Sequence, residues 1–451
     1  MDKASQKLIQ LLKLNEGKAN FKRNFNFKLY PFFTRNPERA KFNNGFTPVL
    51  GSIARHSLGL KAEYTPEDYK LDKIYENVDS VKNLDENQKN KFLNRVFGFD
   101  RIDSIKHPFV MNYYPLSEGS ERRGETDIAF YISKIFNLKE NQNWHNFVGN
   151  KKANNLVEKI LLESITKIPE KDESNSFTTI LNTLFKDKDS DLDFLLTHKD
   201  FALKNLDKFF AFYYFQFILQ TALNLEYIKL LKEGVHLHPL YFTLETEKLT
   251  STRETNSNGY NQIKEIKKYT LVNENLLGYL NILINVINQD DKFYSFTEIF
   301  QLDSIKQDKL NYELQEVLTL YSSVFSKSES ISTELEGNIL LFKKWLSEDL
   351  TNETLSRYYL SIEEIGNLFF LKNRGSMGKT LTLKKDMLIL LTSLIVKNEK
   401  MLIKDVFSEF ENRGVFLDRY TKDEILQFYE KMNILDKKSD SGEVKYVKPV
   451  L

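Results

Sequence analysis

Lys372-Asn373-Arg374-Gly375-Ser376-Met377-Gly378-Lys379-Thr380, KNRGSMGKT in one-letter code, decides what kind of fold this chain can have. Its tail reads like the end of a phosphate-binding P-loop. That loop needs Gly, four residues, then Gly-Lys-Ser/Thr, set between a strand and a helix. Here Asn373 stands where the first glycine belongs. After Lys379 the pattern alternates, with Leu381 and Leu383 against Thr380 and Thr382, which is the period of a strand. The helix whose N-terminus would hold the phosphates is missing from the pattern. No apolar run ending in Asp-Glu is present to hold a metal beside it. The stretch therefore predicts a β-hairpin, LFFLKNR (Leu368–Arg374) against KTLTL (Lys379–Leu383), with glycines in the turn. An NTPase is not expected.

Working outward, the sequence after the hairpin gives the most definite element order. KKDMLILLTSLIV (Lys384–Val396) reads as an apolar helix and MLI (Met401–Ile403) as a one-rung strand. KDVFSEFENRG (Lys404–Gly414) reads as a helix stopped by Gly414. TKDEILQFYEKM (Thr421–Met432) reads as a helix with Thr421 as N-cap and Glu424 three residues on, a capping box. Two short strands follow around Ser439–Gly442. Helix, short strand, helix, helix and hairpin is the winged-helix order. The second helix of the pair carries Lys422 and Lys431 against Asp423, Glu424 and Glu430. Residues 384–451 hold 13 Lys/Arg and 12 Asp/Glu, a balance that favours docking on protein over reading DNA. The hairpin beyond it is more basic, with Lys437, Lys438, Lys445 and Lys448.

Upstream the chain is mostly helical. Phe209–Leu231 is apolar nearly all round, as for a helix buried by neighbours, and Asn273–Gln289 is a second such helix. Gly124–Phe136 and Leu156–Ile168 carry helical stripes, and Leu84, Phe92, Val96 and Phe97 suggest another across Asn83–Phe99. The fold class expected is mainly α: a multidomain helical protein with a small C-terminal winged-helix domain and a β-hairpin before it. The divisions read as a basic aromatic-rich segment over 1–60, a helical domain over 61–200, an apolar helical domain over 201–365, and hairpin plus winged helix over 366–451.

Composition removes several chemistries. With no cysteine among 451 residues, there is no disulfide, thiolate metal site or Cys nucleophile. The longest apolar run, Phe209–Leu223, contains Gln216 and Gln220 and is too short to span a bilayer. The opening residues lack the apolar core of a signal peptide. A cytoplasmic protein with no membrane contact is expected. The net charge of +1 predicts no global pull toward nucleic acid.

Local asymmetry is another matter. Residues 1–60 hold eleven Lys/Arg against three Asp/Glu, interleaved with aromatics. Bases neutralise phosphates and aromatic rings stack on nucleobases. The candidate DNA-binding residues are Lys22, Arg23, Lys28, Arg35, Arg39 and Lys41 here, and Lys437, Lys438 and Lys445 in the C-terminal hairpin. The competing reading makes these aromatics core and these bases its solvated rim.

Three further clusters carry polar or metal-ligating side chains. Glu118, Glu121, Glu125 and Asp127 surround Arg122 and Arg123, and clustered carboxylates can hold Mg²⁺ in a nuclease. Yet Ile128 onward reads as helix, whose N-terminus itself favours acids. His236 and His238 in HLHP have the spacing of a strand-borne metal pair without a completing ligand, and otherwise read as an exposed turn. Glu245, Lys248, Thr252 and Arg253 suggest a polar pocket or, on a helix, a solvated face. No cofactor or metal site is expected from any of them.

The ending RGVFLDRYTKDEILQFYEKMNILDKKSDSGEVKYVKPVL (Arg413–Leu451) and LYFTLETEKLTSTRETNSNGYNQI (Leu240–Ile263) resemble the DptG family. LYPFFTRNPERAKFNNGFTPVLGSIAR (Leu29–Arg55) and RGSMGKTL (Arg374–Leu381) add to the resemblance, which runs from about residue 28 to 451. Such proteins are the G components of Dpt (DndFGH) restriction systems. The resemblance implies a bacterial defence role as a non-catalytic subunit, a scaffold or DNA-contacting adaptor. Its partners would be the F and H components, which carry ATPase or helicase-like features. Together they would attack double-stranded DNA lacking phosphorothioate modification. No catalytic residue is carried over. The alternatives are a Mg²⁺-dependent nuclease subunit using the Glu118–Asp127 carboxylates and a winged-helix transcription regulator.

Overall fold

The computed structural model describes residues 3–21, 23, 25–64, 85, 87–88, 91, 107–155, 158–159, 162, 167–249, 253–438 and 444–451. The helix expected across Asn83–Phe99 and the turn Ser439–Gly442 lie outside the described residues, as does most of the helix expected over Leu156–Ile168. The protein is mainly helical with small sheets toward its C-terminal end.

Its axis is the apolar stretch singled out above. Helices α1 (Ala4–Leu12), α2 (Thr47–Ser57), α3 (Arg122–Ile135), α4 (Gln142–Val148) and α5 (Lys188–Thr197) precede α6, Lys199–Glu226. At 28 residues, α6 is about 42 Å long. Every residue from Phe209 to Leu225 is buried. That requires neighbours on all sides, and α2, α5 and the later helices supply them. Phe136, at the end of α3, meets Phe209, Phe210 and Tyr213 at ring-centroid separations of 5.4–5.5 Å. Glycines permit the closest approaches. A Cβ on Gly51 would lie 2.3 Å from the Tyr114 carbonyl oxygen, and one on Gly124 would lie 2.5 Å from the Ala40 nitrogen.

Past α6 come strand β1 (Tyr241–Leu244) and helices α7 (Tyr260–Ile266), α8 (Thr270–Asn288), α9 (Ser304–Phe325), α10 (Leu335–Asp349) and α11 (Asn352–Phe369). Helix α8 packs on α6, α9, α10 and α11, and α1 closes over α8 and α9. The hairpin read from KNRGSMGKT is present: β2 (Leu371–Asn373) pairs antiparallel with β3 (Lys379–Leu383). Gly375 and Gly378 hold the turn at φ values of +64° and +74°. The first strand is shorter than expected because α11 runs through Phe369.

The C-terminal elements follow in the order read from the sequence. They are α12 (Lys385–Val396), β4 (Met401–Leu402), α13 (Ile403–Asn412), β5 (Phe416–Leu417), α14 (Arg419–Lys431), β6 (Leu435–Lys438) and β7 (Val444–Val447). β7 pairs antiparallel with both β4 and β6. The extra strand β5 joins the other sheet, lying parallel to β1, as does β3. That sheet runs β2-β3-β1-β5 and draws strands from both sides of residue 365. Apolar packing is continuous from Ala4 to Val447. Among the described residues no helix is long and apolar enough to cross a membrane.

Three local readings are corrected. Glu245 and Lys248 lie in a turn and loop that follow the largely buried strand Tyr241–Leu244, not on a helix, and of the two only Lys248 is exposed. Helix α14 begins two residues early, because the Asp418 carboxylate accepts the Thr421 N–H at 2.9 Å and takes the N-cap. His238 does not sit in an exposed turn. Its backbone N–H and C=O are both bonded by Gln220 of α6 at 2.9 and 2.8 Å, and its ring stacks on Tyr227. Burial, then the His236 charge, push its imidazole down to about 4, so the ring stays neutral at physiological pH.

Candidate nucleic-acid interface

The C-terminal helix pair is held by a buried ionic clamp. Arg253 grips both oxygens of Asp418, Nε to Oδ2 at 2.7 Å and Nη2 to Oδ1 at 2.5 Å. Its Nη1 donates to Glu247 Oε1 at 2.9 Å, and its Nη2 also donates to the Thr421 hydroxyl at 2.9 Å. All four residues are buried. Asp418 and Thr421 belong to the first turn of α14, so the clamp fixes where that helix starts. Burial alone would raise the Asp418 carboxyl; the hydrogen bonds from Arg253 and Thr421 outweigh it and hold the group below the usual carboxylate range. Arg374, at the base of the β2–β3 turn, donates to the carbonyls of Glu247 and Leu244 at 2.9 Å each. The hairpin is thereby tied to the same loop.

Above the clamp, α14 presents Arg419 and Tyr420 to solvent, Tyr420 with 65% of its surface exposed. The Arg253 guanidinium lies 5.0 Å from the Tyr420 ring centroid, which braces the ring from beneath. A second buried arginine seats α13. Arg413 forks onto Asp191 of α5 at 2.7 and 2.9 Å, and the Tyr213 hydroxyl of α6 donates to the same carboxylate at 2.7 Å. Gly414 follows at φ +79°, where a Cβ would lie 2.5 Å from Gln216 Oε1.

The hairpin lysines lie on β6 and β7, and the register sets Lys437 opposite Lys445, with Lys438 opposite Val444. The Lys445 side chain is half-buried, and those of Lys437 and Lys438 lie outside the description.

The N-terminal candidates do not form one surface. Lys22 lies outside the described residues. Arg23 donates to Glu274 Oε2 of α8 at 3.2 Å and to the Tyr358 hydroxyl at 2.8 Å. Lys28 pairs with Asp127 at 3.1 Å and covers the Phe177 ring. Arg39 is buried and pairs with Glu364 of α11 at 3.3 Å. Arg35 is mostly exposed and faces Glu38 at 3.6 Å, while Lys41 is exposed and its backbone N–H donates to Glu121 at 2.6 Å. The aromatics between them are core. Phe27, Tyr30 and Phe32 are buried, with Phe32 against Tyr358 and Phe27 against Phe293. The segment is thus a strap stitched across α3, α8 and α11.

The acidic group divides among separate partners. Glu121 accepts from Lys41, Asp127 pairs with Lys28, and Glu118 is exposed. Glu125 is fully buried and accepts both the N–H and hydroxyl of Ser117, at 2.8 and 2.6 Å. Burial pushes its carboxyl up to about 7, against the pull of the Ser117 hydrogen bonds. Among the described residues no group of three or more metal-ligating side chains converges.

Sequence reasoning missed the clamp, and one signal was available. Arg253 stands out in a polar stretch, but its partners Asp418 and Thr421 lie far down the chain, where Thr421 also fits a local capping pattern. Compared with models of known protein families and with curated protein sequences, the chain matches none.

Proposed function

We propose that this chain is a non-catalytic subunit, a scaffold or DNA-contacting adaptor, of a bacterial restriction complex that attacks DNA lacking phosphorothioate modification. The F and H components would supply the motor and cutting chemistry, acting in the cytoplasm. The reading rests on the family resemblance and on one structural observation, the Arg253 clamp. The clamp spends four buried polar side chains to fix the start of α14 while Arg419 and Tyr420 face outward. A winged-helix unit used for docking needs that fixed presentation more than it needs a reactive group. Three of the four candidate carboxylates, Glu121, Glu125 and Asp127, are engaged in separate contacts, which supports a binding role over a nuclease role.

The test uses the purified full-length chain with separately purified F and H components. Co-elution of the three is expected, together with no DNA cleavage by the chain alone in Mg²⁺. An Arg419→Ala, Tyr420→Ala variant is expected to weaken assembly or DNA contact while retaining its fold. Cleavage by the chain alone, lost in a Glu125→Ala, Asp127→Ala variant that remains folded, would refute the reading in favour of the nuclease.

A further inference from the structure

The strap's cations are largely occupied, so phosphate contacts must be sought elsewhere. KEIKKY (Lys264–Tyr269) runs from the end of α7 through a 3₁₀ turn into α8. Lys264, Lys267 and Lys268 stand at i, i+3 and i+4, which places three ammonium groups on one helical face. Lys264 and Lys268 are exposed and Lys267 is half-buried. Among the described residues, none of the three forms an ion pair with a carboxylate. Acids around this face are Glu265, exposed between them, Glu226, which pairs with Lys343 at 3.1 Å, and Glu363 of α11, which pairs with Lys379 at 3.5 Å and accepts from the Tyr260 hydroxyl.

Aromatic rings lie under two of the three, Lys267 and Lys268. Lys268 lies 4.8 Å and Lys343 5.1 Å from the centroid of Tyr269, and Lys267 lies 5.3 Å from that of Tyr359. Like charges three and four residues apart on a helix oppose folding. Holding them over tyrosines removes part of the entropy that a partner would otherwise have to overcome. The arrangement costs the free protein and favours a polyanion.

We infer that the Lys264–Lys267–Lys268 face, braced by Tyr269 and Tyr359, is where this chain contacts the phosphate backbone of duplex DNA, independent of sequence. The choice of DNA rests on the proposed function; the choice of surface does not. An anionic membrane is the other polyanion of this kind. It is disfavoured because none of the residues that make up the face, Lys264, Lys267, Lys268, Tyr269 and Tyr359, is an exposed large apolar side chain to insert.

The experiment follows binding of a fluorescent duplex oligonucleotide to the full-length chain by anisotropy across a salt series. Wild type is compared with Lys264→Gln, Lys267→Gln, Lys268→Gln, and with Arg35→Gln, Lys41→Gln. Circular dichroism checks that each variant is folded. Loss of three phosphate contacts lowers the slope of log K against log salt by about 2 to 3. The lysine-face variant should show that fall and at least tenfold weaker binding at low salt, and the strap variant should not. Wild-type binding with an unchanged slope in the lysine-face variant overturns this inference and leaves the adaptor reading standing. No wild-type binding at low salt overturns both the inference and the DNA-contacting half of that reading. Sedimentation with phosphatidylserine vesicles, lost in the lysine-face variant while DNA binding persists, reassigns the face to a lipid surface.

Discussion

Replacing Arg253 with methionine keeps most of the stem's volume and removes the guanidinium. Glu247 and Asp418 are then left as buried carboxylates, with side-chain exposures of 2% and 8%. Breaking a buried ion pair from one side costs about 3–5 kcal/mol, because the remaining charge keeps its desolvation penalty. Here two carboxylates lose one partner, so the upper half of that range applies unless they take up protons. The loss should fall on the start of α14 and the loop after β1, the two segments the clamp joins, more than on the whole chain. Hydrogen–deuterium exchange reports such local opening directly. At about 1.4 kcal/mol per factor of ten, amides in the first two turns of α14 should exchange on the order of a thousandfold to several thousandfold faster. Adding Glu247→Gln and Asp418→Asn should restore much of the protection, because no uncompensated charge then remains. Unchanged α14 exchange in the single variant, or no recovery in the triple, would show that the clamp does not hold the helix.

Further outcomes follow from other sites. Glu125 has a folded-state carboxyl raised from 4.5 to about 7, so its contribution is complete below pH 4.5 and is lost as pH rises through 7. Glu125→Gln should flatten thermal stability across that window, read from melting curves at several pH values. Gly278→Ala places a Cβ 2.3 Å from the Phe25 ring and should cost about 1–3 kcal/mol, seen as faster proteolysis of the strap. Gly414→Ala meets both the positive φ and Gln216, and should lower the melting temperature by an amount equivalent to about 2 kcal/mol.

Elements with a strong internal period were legible in the sequence. Helices α3, α6, α8 and α12 declare themselves through continuous or striped apolar residues, and the β2–β3 hairpin through alternation bounded by glycine. Strand β1 was not legible, because four residues carry little periodicity and its partners β3 and β5 come much later in the chain. The start of α14 was misplaced for a related reason. Thr421 and Glu424 make a sound local capping pattern, but the Thr421 hydroxyl is drawn to Glu247 and Arg253, and Asp418 caps in its place. Composition identified the basic aromatic opening but not the destination of its charges. Arg23, Lys28 and Arg39 find Glu274, Asp127 and Glu364, each contributed by a different helix.

Those long-range pairs share a logic that bears on function. Arg23 ties the strap to α8, Arg39 ties it to α11, Arg253 ties the β1 loop to α14, and Arg413 ties α13 to α5. The last two are forked contacts to aspartate, a geometry that lysine cannot reproduce. Buried ion pairs add little net stability relative to apolar packing, but mispairing them is expensive. Their use at each point where the terminal segments meet the helical body therefore fixes register more than it strengthens the fold. An enzyme concentrates such precision around reacting groups. Here it is spread over the joints between the segments and leaves outward-facing residues at fixed positions. That distribution is what the adaptor role proposed above would require.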